Sequence, residues 1–157
     1  MTKQINLGKC GLFALVDDDF TTDINWGFDG RYVYFRRHIR MEGKKQKYKK
    51  IYLHRLIMNT PTGMDTDHIN GDKLDNRREN LRITTRSQNS MNQKKTRGAS
   101  KYKGVNWHNQ RGYWKAEIKL NGKKKHLGVF LSELEAAEAY NLAAIEKFGK
   151  FAKINTL

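Results

Sequence analysis

Asp67-His68-Ile69-Asn70-Gly71-Asp72-Lys73-Leu74-Asp75-Asn76-Arg77-Arg78-Glu79-Asn80-Leu81-Arg82-Ile83-Thr84-Thr85-Arg86-Ser87-Gln88-Asn89 decides how the rest of this 157-residue chain is read. The run gathers one histidine, several carboxylates and several asparagines, too polar a mixture for a hydrophobic core. Pro61-Thr62-Gly63 ahead of it is turn-like, and Asn70-Gly71 is a strong turn signal because both residues tolerate positive φ. Asn80-Leu81-Arg82-Ile83 reads as a short strand, apolar at Leu81 and Ile83. Thr85 followed by Gln88 has capping-box spacing, so a helix is expected there with Asn89 in its first turns. Strand, loop, strand and helix can then collect Asp67, His68, Asn80 and Asn89 from four places.

Those residue types suit one kind of chemistry. A hard divalent cation takes oxygen ligands, and an Asp carboxylate with an Asn carbonyl supplies two. Mg²⁺ usually accepts only one or two protein ligands and leaves the rest to water and phosphate. A neutral imidazole beside it takes a proton from water near pH 7, and an Asn carbonyl can fix its tautomer. An EF-hand does not fit: from Asp65, Gly71 falls one residue late and Asn76 stands where Glu is required. Asp75 and Asn76 read as hydrogen-bonding residues that fix the loop.

The lead-in His54-Arg55-Leu56-Ile57, the run Asp67 to Asp72, the run Asn76 to Arg82 and the closing Ser87-Gln88-Asn89 resemble the HNH, or ββα-metal, nuclease family, in its phage and intron homing-endonuclease subclass. The resemblance covers residues 50–92. It implies His68 as general base, Asn80 as the residue that orients it, and Asp67 and Asn89 as ligands to one Mg²⁺ or Mn²⁺ per active site. Asn89 stands where the family often has His. Arg77, Arg78 and Arg82, beside a phosphodiester site, are expected to contact phosphate. His54 is assigned a structural role.

The net charge of +15 and a pI near 10 point to an anionic partner, nucleic acid first. No apolar run is long enough to span a bilayer and no signal-peptide pattern opens the chain, so a cytoplasmic protein is expected, in a bacterial host if phage encoded. Cys10 is the only cysteine, which rules out an internal disulfide or a cysteine zinc site. Upstream, Leu12 to Val16, Tyr32 to Arg37 and Lys50 to Leu53 read as strands, with Glu42-Gly43-Lys44-Lys45 as a connection and Lys44 to Lys50 as a basic edge. Asp17-Asp18-Asp19 reads as a solvated turn or the cap of a short helix. A helix is expected to begin at His54.

Residues 93–101, with Lys94, Lys95 and Arg97, lack apolar periodicity and read as a basic linker. Beyond it, Tyr102 to His108, Tyr113 to Asn121 and Lys123 to Leu131 read as three strands, with Asn121-Gly122 as a hairpin turn. The middle strand alternates: Trp114, Ala116, Ile118 and Leu120 on one face, Tyr113, Lys115, Glu117 and Lys119 on the other. A helix follows from Ser132, with a capping box to Glu135 and Leu134, Ala137, Tyr140, Ala144 and Phe148 toward the sheet. Tyr102-Lys103-Gly104-Val105, Trp114-Lys115-Ala116-Glu117-Ile118, Leu127-Gly128-Val129-Phe130 and Glu135 to Tyr140 resemble the ethylene-response-factor (APETALA) type of DNA-binding domain. That resemblance implies DNA contacts from Asn106, His108, Arg111, Lys119, Lys124 and His126. Trp107 and Trp114 are assigned to packing.

The chain is thus read as α+β: a ββα-metal nuclease module with an N-terminal β-rich scaffold over residues 1–92, the linker, and a three-stranded antiparallel sheet packed on one helix over 102–157. The expected function is a metal-dependent endonuclease on double-stranded DNA, acting as a monomer or weak dimer and leaving 5′-phosphate and 3′-hydroxyl ends. Its rivals are a DNA-binding regulator with a silent HNH scaffold and a basic adhesive protein of RNA or nucleoid.

Overall fold

The computed structural model describes residues 1–39, 47–93, 98–120 and 122–157. The Glu42 to Lys45 connection, the first three residues of the Lys44 to Lys50 edge, Lys94, Lys95, Arg97 and Asn121 of the expected hairpin turn lie outside these. Contacts divide the chain into two units, Met1–Arg86 and Ser87–Leu157.

The first unit is built from short antiparallel pairs. β1 (Thr2–Asn6) pairs with β2 (Phe13–Asp17). β3 (Gly27–Phe28), β4 (Val33–Ile39) and β5 (Lys47–Tyr52) form a sheet in that order. α1 (Leu53–Ile57) leads to β6 (Asp65–His68), which pairs with β7 (Leu81–Thr84). The period-two alternation of β2 sends Ala14 and Val16 inward, where they meet Leu7, Trp26, Val33 and Leu53 in the core. Phe35 meets the Trp26 ring edge-on at 5.2 Å.

No helix follows Asp17-Asp18-Asp19. Asp17 accepts from the Arg78 backbone N–H at 3.0 Å, and Asp19 takes an Arg78 guanidinium N–H at 2.7 Å. Both carboxylates therefore anchor a distant loop instead of capping their own chain.

The second unit opens with α2 (Arg86–Met91), whose first residue closes the first unit. β8 (Val105–His108), β9 (Tyr113–Leu120) and β10 (Lys123–Phe130) form an antiparallel sheet with β9 in the middle. α3 (Glu133–Phe148) covers one face of it. β8 starts three residues later than the sequence suggests, because Gly104 adopts a left-handed φ of 79°. A Cβ on Gly104 would stand 1.9 Å from Tyr140 Cδ2, so only glycine lets this turn close on the helix. The Ser132 hydroxyl caps α3, but it accepts from Leu134 N at 3.2 Å rather than from Glu135 N. Ala136, Ala137, Tyr140, Ala144 and Phe148 are buried. That stripe leaves Leu134 on its rim, 49% exposed, and takes Ala136 in its place. Met91 of α2 packs against the Ile118–Tyr140–Ala144–Phe148 cluster, and its carbonyl accepts from Lys103 Nζ.

Candidate active site

β6 and β7 set the site. Their register places Asp67 opposite Arg82 and His68 opposite Leu81. Cross-strand neighbours share a face, so the Arg82 guanidinium reaches Asp67 Oδ2 through Nε at 3.0 Å and Nη2 at 2.7 Å.

After His68 the chain turns under the control of one side chain. Asn80 Oδ1 accepts from Asn70 N at 3.0 Å, while Asn80 Nδ2 donates to the Asp75 carbonyl at 2.8 Å. Asn70 and Asp72 then accept from the backbone two residues on, at 2.8 and 2.9 Å, in successive Asx turns. β2 finishes the loop from outside: Leu15 N donates to the Leu74 carbonyl and Asn76 N to the Leu15 carbonyl, each at 2.8 Å. Asn76 is thereby fixed, and its Oδ1 lies 3.3 Å from His68 Nε2. Asn76 Nδ2 donates to the Lys73 carbonyl at 3.2 Å, which sets the orientation of the amide. It is Asn76 that meets the imidazole of His68, while Asn80, expected in that role, holds the backbone just beyond it.

His68 has no exposed surface. Burial pushes its imidazole down to about 4, the charge of Lys73 adds to this, and the Asn76 hydrogen bond opposes it. His54, also buried, meets His68 edge-on at 5.1 Å and is pushed down to about 3, again chiefly by burial. Both rings are neutral around pH 7. With Oδ1 of Asn76 as acceptor, the His68 proton sits on Nε2 and Nδ1 is the basic nitrogen.

Tyr32, ahead of β4, is the hub that the sequence did not reveal. Its ring lies 4.9 Å from His54 and 6.3 Å from His68, the latter nearly parallel at 28°. Arg31 Cζ and Lys73 Nζ lie over the same ring at 5.2 and 5.6 Å. Burial lowers the Lys73 ammonium, with Asp67 opposing.

The three arginines expected on phosphate each hold carboxylates of the chain. Arg77 grips Asp75 through Nε and Nη2, both at 2.8 Å, and also pairs with Glu79. This fork holds the Asp75 carboxyl below the usual carboxylate range. Arg78 is taken by Asp17 and Asp19, and Arg82 by Asp67. Asn89 stands half-buried on α2, in the second unit, whereas Asp67, His68 and Asn80 belong to the first.

Among the described residues no group of three or more His, Cys, Asp or Glu side chains is placed to hold a metal. A hard cation takes only one or two protein oxygens and does not require such a group. Asp67, nearly buried next to His68 in sequence, offers an oxygen of the type such a cation takes, and here it is bound to Arg82.

In the second unit the register aligns the uncovered face of the sheet. Asn106 faces Lys115, His108 faces Tyr113, His126 faces Glu117 and Lys124 faces Lys119. All lie opposite the face that carries Ala116 and Ile118, and Arg111 is exposed in the β8–β9 turn. At the centre Glu117 binds Lys115 at 2.6 Å and lies 3.8 Å from Lys124. Strand alternation already put Lys115 and Glu117 on this face; they were left out of the contact set. Trp107 and Trp114 pack on each other at 4.9 Å.

Comparison with known proteins adds two relationships. Residues 52–91 match the HNH endonuclease family. The chain is 36% identical over 115 residues to an uncharacterised HNH endonuclease of Acanthamoeba polyphaga mimivirus, covering 73% of this chain and 59% of that protein. It is also 50% identical over 64 residues to an AP2-like ethylene-responsive transcription factor of Arabidopsis thaliana, covering 40% of this chain and 12% of that protein. One from Oryza sativa subsp. japonica is 48% identical over 62 residues, covering 38% of this chain and 10% of that protein. The chain thus spans somewhat over half the length of its mimiviral relative and about a tenth of the plant ones. No described helix is long and apolar enough to cross a membrane. Residues 52–91, the stretch that matches the HNH endonuclease family, include the whole β6–β7 pair.

Proposed function

We propose that this chain is a metal-dependent DNA endonuclease in which His68 is the general base. The observation that carries the reading is a neutral imidazole whose Nε2 is held by Asn76 and whose neighbour in sequence is the Asp67 carboxylate. Nδ1 of His68 takes the proton of the attacking water. Asn76 fixes the ring, and Asn80 fixes the turn that follows it. His68 is fully buried, so that water reaches Nδ1 only when the cover over the ring shifts.

Asp67 and Asn89 would hold a Mg²⁺ or Mn²⁺ ion, which when bound stabilises the charge developing on the phosphate and the leaving 3′ oxygen. The second unit positions the cut by laying Asn106, His108, Arg111, Lys119, Lys124 and His126 on duplex DNA. Its sequence motifs and the likeness to AP2-like factors support that role. One site per chain makes a nick the product of a monomer, with 5′-phosphate and 3′-hydroxyl ends.

The competing reading is a DNA-binding regulator with a silent HNH scaffold. It draws on the Arg82 guanidinium, which already neutralises Asp67. Supercoiled plasmid incubated with Mg²⁺, Mn²⁺ or EDTA separates the two. Metal-dependent open circle from the wild type and none from His68→Ala, with DNA affinity retained, is the expected result. Equal cleavage by both removes His68 as the base, and binding without cleavage on a randomised site library favours the regulator.

A further inference from the structure

Phosphate binding beside the base was expected of Arg77, Arg78 and Arg82, and carboxylates hold all three. Two other cations stand over the ring that stacks on the imidazole. Among the described residues no carboxylate lies within ion-pair distance of Arg31 or Lys73. Both lie over the ring of Tyr32, at 5.2 and 5.6 Å, and that ring stacks on His68. Two like charges held over one aromatic ring repel each other, and beyond the effect of burial Arg31 lowers the Lys73 ammonium accordingly; the ring offsets only part of that cost. A singly charged anion between them would satisfy both. The pair is mixed in kind: a forked guanidinium matches two anionic oxygens of a phosphodiester, and an ammonium supplies a point charge. Arg31 is exposed and Lys73 half-buried, so one reaches outward while the other is held near the base.

The geometry points to Arg31 and Lys73 as a clamp for the phosphodiester that is cut, with Tyr32 as the residue that positions both cations beside His68. This rests on the endonuclease reading given above and adds to it the groups that hold the substrate phosphate.

The test uses the full chain in the His68→Ala background, so that DNA binding is read without cleavage. Affinity for a duplex is measured across a salt series for Arg31→Gln, Lys73→Gln, and the charge-keeping Arg31→Lys and Lys73→Arg. Each Gln substitution is expected to reduce the slope of log affinity against log salt by about 0.9 per lost phosphate contact, and the charge-keeping pair to restore it. Tyr32→Phe keeps the ring and is expected to keep the slope, whereas Tyr32→Leu should lower it. Unchanged slopes in both Gln variants overturn the clamp. Its failure differs from failure of the nuclease reading: slopes that fall while the wild type never cuts keep the phosphate contact and overturn the nuclease, and slopes that stay fixed while the wild type cuts keep the nuclease and overturn the clamp.

Discussion

Arg82 and Asp67 sit opposite each other on β6 and β7, and both near guanidinium nitrogens of Arg82 converge on one carboxylate oxygen, Oδ2. The side chains are 14% and 3% exposed, so this is a largely desolvated pair. Removing one partner strands the other charge. Arg82→Ala is expected to cost about 3–5 kcal/mol in urea unfolding. Adding Asp67→Asn to it should recover part of the loss, and a double variant no more stable than the single would show that the pair is not the source.

Acid should destabilise the first unit through its two buried histidines. Both are held below the ordinary 6.5, His68 at about 4 and His54 at about 3, so between those values and 6.5 the unfolded chain binds more protons than the folded one. Their contribution is complete above pH 6.5 and falls as pH drops through that window, by up to roughly 1.4 kcal/mol per pH unit for each ring. Unfolding free energies at pH 7.5, 6 and 5 check this, and His54→Phe should flatten the slope.

Asn76 and Asn80 should fail in different ways. Asn76 meets the His68 ring, so Asn76→Ala is expected to lower the cleavage rate about 10- to 100-fold with DNA affinity kept. Asn80 satisfies a backbone N–H and a backbone carbonyl in a buried place, so Asn80→Ala should cost about 2–3 kcal/mol of stability. Single-turnover cleavage beside urea unfolding separates them. A stable, inactive Asn80→Ala would return the orienting role to Asn80.

On the sheet of the second unit, Lys119 and Lys124 face each other across β9 and β10. Lys119→Ala and Lys124→Ala should each weaken DNA binding and lower its salt slope by about 0.9. Lys124 lies 3.8 Å from Glu117, and Glu117→Gln should therefore tighten binding without steepening the slope by more than a fraction of a contact.

The strands and the long helix of the second unit were legible because strict alternation in Tyr113–Leu120 and helical spacing from Ala137 to Phe148 report burial directly. Asp67 and His68 were legible from their motif. The approach of Tyr32 and His54 to His68 was not, since they come from just ahead of β4 and from α1 through tertiary packing that leaves no local pattern. The fate of the arginines was hidden for a related reason. Arg78 finds Asp17 and Asp19 from a remote part of the chain, and Arg82 finds Asp67 only once the register of β6 and β7 is known.

The two backbone hydrogen bonds that tie Leu15 to Leu74 and Asn76 set a limit on how small the first unit can be cut. A peptide trimmed to the matched residues 52–91 would keep Asp67, His68, Asn76 and Asn80. It would lose the outer strand that stitches Asn76 in place, and with it the means of aiming the imidazole. For excision or grafting, a cassette that keeps Asn76 in place begins at β2 rather than at the first residue of the motif.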